Sequence, residues 1–72
     1  MLMASERYVI KKGRQYLMGV PYEDIASCRF TPSAYDGWQS KSFDTSLRIA
    51  RMIGGKVVRF NRLTGRLDGG WK

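Results

Sequence analysis

Most of the residues that could do chemistry in this 72-residue chain are cations, because 13 lysines and arginines stand against six aspartates and glutamates. There is no histidine, which removes the commonest general base and the commonest zinc ligand. Cys28 is the only cysteine, so it completes neither an intramolecular disulfide nor a Cys/His metal site. Glu23 and Asp24 are adjacent, whereas acid/base pairs converge from positions that a sequence does not reveal. We therefore predict a non-enzyme with no catalytic residues, metal site or cofactor.

Gly54-Gly55-Lys56 is the stretch that most invites comparison with a phosphate-binding loop. Such a loop follows a strand, and four residues separate its two glycines, whereas Gly54 and Gly55 are adjacent. Here the glycines follow a helical pattern instead. They are better explained as the end of a helix, and a nucleotide-binding loop is not predicted.

The formal net charge of +7 is concentrated in the second half of the chain. Residues 1–36 hold five Lys/Arg and four Asp/Glu, whereas residues 37–72 hold eight and two. Cations neutralise phosphates and flat rings stack on unpaired bases, although no nucleic-acid-binding motif is present. The alternative is that the cations only form the solvated side of a small domain. The predicted binding surface comprises Tyr35, Trp38, Lys41, Arg48, Arg51, Lys56, Arg59, Arg62 and Arg66.

One amphipathic helix is predicted to position the first of these cations. At about 100° per residue, one continuous apolar arc is formed by Phe43, Ser46, Leu47, Ile49, Ala50 and Ile53. Arg48, Arg51 and Met52 lie outside that arc. Asp44 is the predicted N-cap, with Ser42 as competitor, and Asp44 can also pair with Arg48. Gly54 or Gly55 ends the helix in a left-handed conformation.

Strands are predicted on either side of this helix. Residues 7–12 and 15–18 form a hairpin around the Gly13-Arg14 turn, and residues 56–60 form a strand after the helix. Residues 61–67 are a turn that closes a second hairpin, with Gly65 at the position that requires a positive φ. The alternation along residues 7–12 does not decide which face of that strand is buried.

The pattern is weaker from residue 20 to residue 42. Pro21 can begin a short helical turn, or Tyr22 and Ile25 can anchor a loop. Residues 27–30 suit a short extended segment, and residues 31–37 are turn material. Trp38 is interpreted first as a cap on the core, and the alternative makes Tyr35 and Trp38 exposed contact residues.

These elements predict a single α+β domain over residues 1–72, in the order β-β-α-β(β). One helix packs on a mainly antiparallel sheet of three or four strands. Residues 1–5 and 68–72 are predicted as loose termini, unless Trp71 docks. No apolar run approaches the ~18 residues of a membrane span, and a lone cysteine suits a reducing compartment. A cytoplasmic protein is therefore expected.

The chain resembles small accessory proteins encoded by phages and prophages of Gram-positive bacteria. The resemblance covers most of the chain and rests on residues 8–11, Tyr16-Leu17, residues 32–38, Phe43, Ile49-Ala50 and residues 54–60. It implies an accessory protein rather than a virion component. Such proteins often act against host machinery, and they include counter-defence proteins such as anti-CRISPRs.

The expected function is that of a non-enzymatic phage protein in the host bacterial cytoplasm, which inhibits or modulates a host protein or protein–nucleic-acid assembly. The alternative is direct, weakly specific binding of DNA or RNA through the basic second half, in phage gene regulation. No membrane partner is expected, and the chain is a monomer or a homodimer.

Overall fold

The computed structural model describes residues 4–19 and 28–72. Those residues form five strands and one helix: β1 (Glu6–Lys12), β2 (Gln15–Leu17), β3 (Phe30–Thr31), α1 (Phe43–Ile53), β4 (Lys56–Asn61) and β5 (Leu67–Trp71). The helical turn or anchored loop predicted around Pro21, Tyr22 and Ile25 lies outside the described residues. Within them, no helix has the length and hydropathy needed to cross a membrane.

The strands form one antiparallel sheet in the order β3-β2-β1-β4-β5. The predicted α+β class is therefore confirmed, but the predicted count of three or four strands is wrong. Strand β3 is only two residues long and is held through pairing to β2, with the Met18 N–H donating to the Arg29 carbonyl at 2.8 Å. A strand of two residues is too short to show an alternating pattern in the sequence. Its pairing with β2 determines its conformation.

Strand β5 is the final strand that the predicted order β-β-α-β(β) and the predicted second hairpin allow, and it replaces the predicted loose tail of residues 68–72. Strand β5 pairs with β4, and Trp71 lies opposite Val57. The Trp71 ring meets the Phe43 ring edge-on, with 5.6 Å between centroids. Trp71 therefore docks, which is the condition under which the prediction of a loose C-terminal tail does not hold. At the other terminus, the Ser5 carbonyl accepts a 2.9 Å hydrogen bond from the Arg62 N–H, so Ser5 is held as well.

Helix α1 matches its predicted apolar arc, but it begins differently. Ser42 is the N-cap, and its side chain accepts a hydrogen bond from the Thr45 N–H at 3.3 Å. Asp44 falls inside the first turn, so its prediction as the cap is wrong. Ser46 is fully buried, and its hydroxyl donates to the Ser42 carbonyl at 2.8 Å. Gly54 ends the helix with φ at 72°, as one of the two predicted alternatives.

The centre of the sheet is covered on both faces. The alternation along residues 7–12 did not predict which face of β1 is buried, and the structure shows that both are. Ile10 and Val57 pack with the helix in one cluster of buried residues. Val9, Val58 and Phe60 belong to a second cluster on the other face, beneath the loop of residues 32–37. Both sides of β1 and β4 are therefore core, and functional side chains are confined to the helix surface, the turns and the ends of strands.

Candidate anion-binding site

Few of the cations are neutralised within the described residues, which include all 13 of them. Arg59 Nε lies 3.2 Å from Glu6 Oε2, and Arg66 Nε lies 3.2 Å from Asp68 Oδ2. In this part of the chain the other eleven lysines and arginines have no carboxylate oxygen within 4.0 Å. Most of the cations in the described structure therefore have no carboxylate partner in direct contact.

The outer face of α1 carries two of the predicted residues, Arg48 and Arg51, and both are exposed. Lys41 is exposed in the segment that leads into the helix. Met52 follows Arg51 on the helix, with 48% of its surface accessible. Asp44 is also exposed, but the predicted Asp44–Arg48 ion pair is not formed among the described residues. This face combines cations with an apolar side chain.

The arginines near the β4–β5 turn are in a different environment. Arg59 is half-buried and paired with Glu6, and Arg66 pairs with Asp68. Arg62 is exposed in the turn itself, where Asn61 Oδ1 accepts backbone hydrogen bonds from Leu63 at 2.9 Å and Thr64 at 3.2 Å. At this end of the sheet, two of the three arginines already have carboxylate partners in the described structure.

The two predicted aromatic contacts lie on opposite faces of the sheet. Tyr35 is 55% exposed and packs edge-on against Phe60, with 4.8 Å between ring centroids, on the face away from the helix. Trp38 is half-buried against the helix-side core, and its backbone N–H donates to the Leu17 carbonyl at 2.7 Å. The geometry matches the interpretation of Trp38 as a cap on the core. It does not bring Tyr35 onto the same surface as Arg48 and Arg51.

A basic pocket forms at the opposite end of the sheet from the β4–β5 turn. It has a volume of about 240 Å³ and lies where the β1–β2 turn meets the end of α1 and the start of β4. Four of its lining residues are lysines: Lys11, Lys12, Lys56 and Lys72. We call this feature the lysine pocket. The rest of its lining among the described residues is glycine, and none of those residues contributes an acidic side chain to it.

Strand register explains why these lysines meet. Lys11 lies directly opposite Lys56 in the β1–β4 pairing. Lys72 directly follows Trp71, which ends β5 and lies opposite Val57. Neighbouring strands are about 4.8 Å apart, so Lys11 of β1, Lys56 of β4 and Lys72 after the end of β5 come close together at the pocket. Lys11 also lies over Tyr16, with Nζ 6.0 Å from the ring centroid.

Sequence reasoning found only Lys56 of these four lysines. Lys11 and Lys12 belong to the half of the chain with nearly balanced charge, and Lys72 was placed in the loose tail. The signal that could have found the first two is Lys11-Lys12-Gly13-Arg14, three cations around a turn glycine. Their meeting with Lys56 and Lys72 depends on strand order, which local sequence does not specify.

Comparison with protein-family models, curated proteins and solved structures finds no match to this chain. Among the described residues, no group of three or more His, Cys, Asp or Glu side chains is placed to hold a metal ion. Function is therefore argued from the surface and its charges.

Proposed function

We propose that this chain is a non-enzymatic, phage-encoded binding protein that inhibits or modulates a host protein or protein–nucleic-acid assembly, as a counter-defence protein such as an anti-CRISPR does. The observation that carries the proposal is the excess of unpaired cations at the described surface, eleven of 13. Unbalanced charge of one sign raises the rate of association with partners of opposite sign. The resemblance to phage accessory proteins supplies the host context.

The outer face of α1 is the proposed contact surface for a protein partner. Arginine and methionine are enriched in protein interfaces, where arginine often contributes much of the binding energy. Arg48, Arg51 and Met52 present this combination on a rigid element, while the opposite side of the helix is held in the core. The expected partner surface is acidic, since opposite charges across an interface steer its formation.

Charge reversal on this face tests the proposal. Affinity capture from a lysate of the bacterial host, quantified by mass spectrometry, should lose its main specific partner when Arg48→Glu replaces the wild type. Arg29→Glu is the matched control, because Arg29 is also exposed and the substitution changes the net charge equally. Arg29 adjoins β3, at the opposite edge of the sheet from β5. Equal capture by the Arg48→Glu protein and the wild type would exclude the helix face as the contact surface.

A second candidate function is direct, weakly specific binding of DNA or RNA in phage gene regulation. The lysine pocket supports it, because a group of unpaired lysines suits phosphate contacts that do not depend on sequence. A gel-shift series at increasing salt tests it. Binding should be measurable at low salt and fall steeply as salt rises, and no shift at the lowest salt would remove this candidate.

A further inference from the structure

We propose that the lysine pocket is a binding site for a backbone phosphate of a nucleic acid. The inference deepens the second candidate function, on which it rests, and does not depend on capture of a host protein. It assigns a ligand to Lys11, Lys12 and Lys72, which lie outside the surface predicted from sequence.

The lysines of the pocket are placed where their positive charges repel one another. Like charges directly opposite each other in a sheet destabilise it, and Lys11 and Lys56 are such a pair. Lys72, which follows the last residue of β5, adds a third lysine to the same pocket. Within the described residues, none of these three lysines has an ion pair to offset the repulsion. An anion placed between the ammonium groups converts this repulsion into attraction.

The end of α1 is the alternative source of negative charge. A helix C-terminus carries about half a negative charge, which favours nearby cations without any ligand. That half charge offsets only a small part of the four positive charges that line the pocket. The pocket therefore keeps a clear positive excess, and the helix end alone does not account for it.

The glycines of the pocket determine how a ligand is held. Gly13, Gly54 and Gly55 line it, and a Cβ atom at Gly13 or Gly54 would meet nothing within 4 Å. These two glycines border open space, so an anion can approach the backbone there. However, the N–H groups of Gly54 and Gly55 both donate to the Ala50 carbonyl. The lysine ammonium groups, and not these amides, are therefore the donors to the ligand.

This donor set favours a nucleic-acid backbone over a discrete nucleotide. Lysine binds phosphate as a flexible point charge, without the fixed geometry of an arginine or a backbone cradle. Among the residues that the structure describes, no aromatic ring or side-chain amide lines the pocket to recognise a base. A volume of about 240 Å³ exceeds the ~30 Å³ share of one water molecule several-fold, so a hydrated phosphate fits.

The test is the salt dependence of binding to a labelled single-stranded oligonucleotide, followed by fluorescence anisotropy. Each phosphate contact contributes about 0.7 to the slope of log K against log salt. Lys11→Gln and Lys56→Gln should each lower the slope by about that amount, and the double variant by about twice as much. Arg29→Gln removes the same charge at the far edge of the sheet and should leave the slope unchanged. Thermal unfolding confirms that each variant is folded.

Amide NMR shifts locate the ligand and separate its possible sources. The oligonucleotide should shift the amides of Gly13, Gly54 and Gly55 at concentrations where inorganic phosphate does not. Shifts with inorganic phosphate alone would overturn the nucleic-acid assignment, and no shift with either ligand would overturn the site. If the wild type does not bind the oligonucleotide at low salt, the second candidate function fails with the inference. If it binds with a slope unaffected by the lysine changes, only the inference fails.

Discussion

Ser42 illustrates how a single residue sets an element boundary. Two candidate caps stand two positions apart, and both have side-chain oxygens that can accept a backbone N–H. The buried hydroxyl of Ser46 donates to the Ser42 carbonyl, which is an additional contact within the first turn. Asp44 keeps a different role, since an acidic residue in the first turn interacts favourably with the helix dipole.

The Ser42→Ala substitution should therefore destabilise the protein by about 1 kcal/mol, the typical cost of losing an N-cap. Urea unfolding followed by circular dichroism measures the change in midpoint. Asp44→Ala is the comparison, and its smaller loss should reflect only the dipole interaction, about 0.3–1 kcal/mol. A larger loss for Asp44→Ala than for Ser42→Ala would contradict the assignment of Ser42 as the cap.

Arg59 shows that residue type alone does not indicate availability for a partner. The sequence predicts it as part of the binding surface, yet it is half-buried and lies beside Glu6. Its Nε makes no hydrogen bond in the described structure, although Glu6 Oε2 is only 3.2 Å away. The contact is therefore an ion pair without hydrogen-bond alignment. Arg48 and Arg51 remain the better candidates for binding.

At the scale of elements, strand β5 depends on Trp71. The strand has sequence Leu-Asp-Gly-Gly-Trp, which has low strand propensity, and Gly69 has φ at 82°. The pairing with β4 is also irregular between Val57 and Arg59. The Trp71 ring against Phe43 therefore ties the end of the sheet to the start of the helix.

Loss of this ring should release β5 before the rest of the sheet. Trp71→Ala is expected to lower the free energy of unfolding by about 1–3 kcal/mol, below the usual cost of deleting a fully buried aromatic because Trp71 is 39% exposed. Hydrogen exchange should show lost protection in β5 and retained protection in β1. Leu63→Ala is the control, because Leu63 is 83% exposed and should change stability by less than about 0.5 kcal/mol. Unchanged protection in β5 would mean that Trp71 does not anchor the strand.

At the scale of the whole molecule, the charges separate into distinct regions. The lysine pocket lies at one end of the sheet, the ion-paired Arg59 and Arg66 lie towards the other, and the α1 outer face is a third region. An unbalanced charge of +7 destabilises a compact fold through self-repulsion, which salt screens over about 10 Å at 0.1 M. Stability and nucleic-acid binding should therefore respond to salt in opposite directions.

Added sodium chloride should raise the melting temperature of the free protein as repulsion is screened. Lys56→Gln should raise it at low salt and reduce the further gain, because it removes the charge opposite Lys11. The expected stabilisation is about 0.2–1 kcal/mol. Arg29→Gln removes an equal charge at the far edge and should have a smaller effect. If both variants behave alike, the repulsion is spread over the surface and is not concentrated in the lysine pocket.

Local features of the sequence were sufficient to predict the helix and the β1–β2 hairpin. The apolar arc from Phe43 to Ile53 repeats at the helical period. Gly54 takes a left-handed conformation that is unfavourable for residues with a side chain. Gly13, with φ at 63°, turns the chain between β1 and β2. The α+β class follows from the order of these elements, because their apolar faces require one shared core.

The tertiary structure alone decided which distant residues meet. Strand β3 is too short, and β5 too rich in glycine, for the bounds of either strand to be predicted without its partner. The lysine pocket exists because strand pairing brings together Lys11 of β1, Lys56 of β4 and Lys72 just after β5, although they are far apart in sequence. A residue's own neighbours set its backbone preference, whereas strand order and register depend on contacts across the whole fold. The sequence therefore determined the elements and the net charge, and the fold determined where that charge is concentrated.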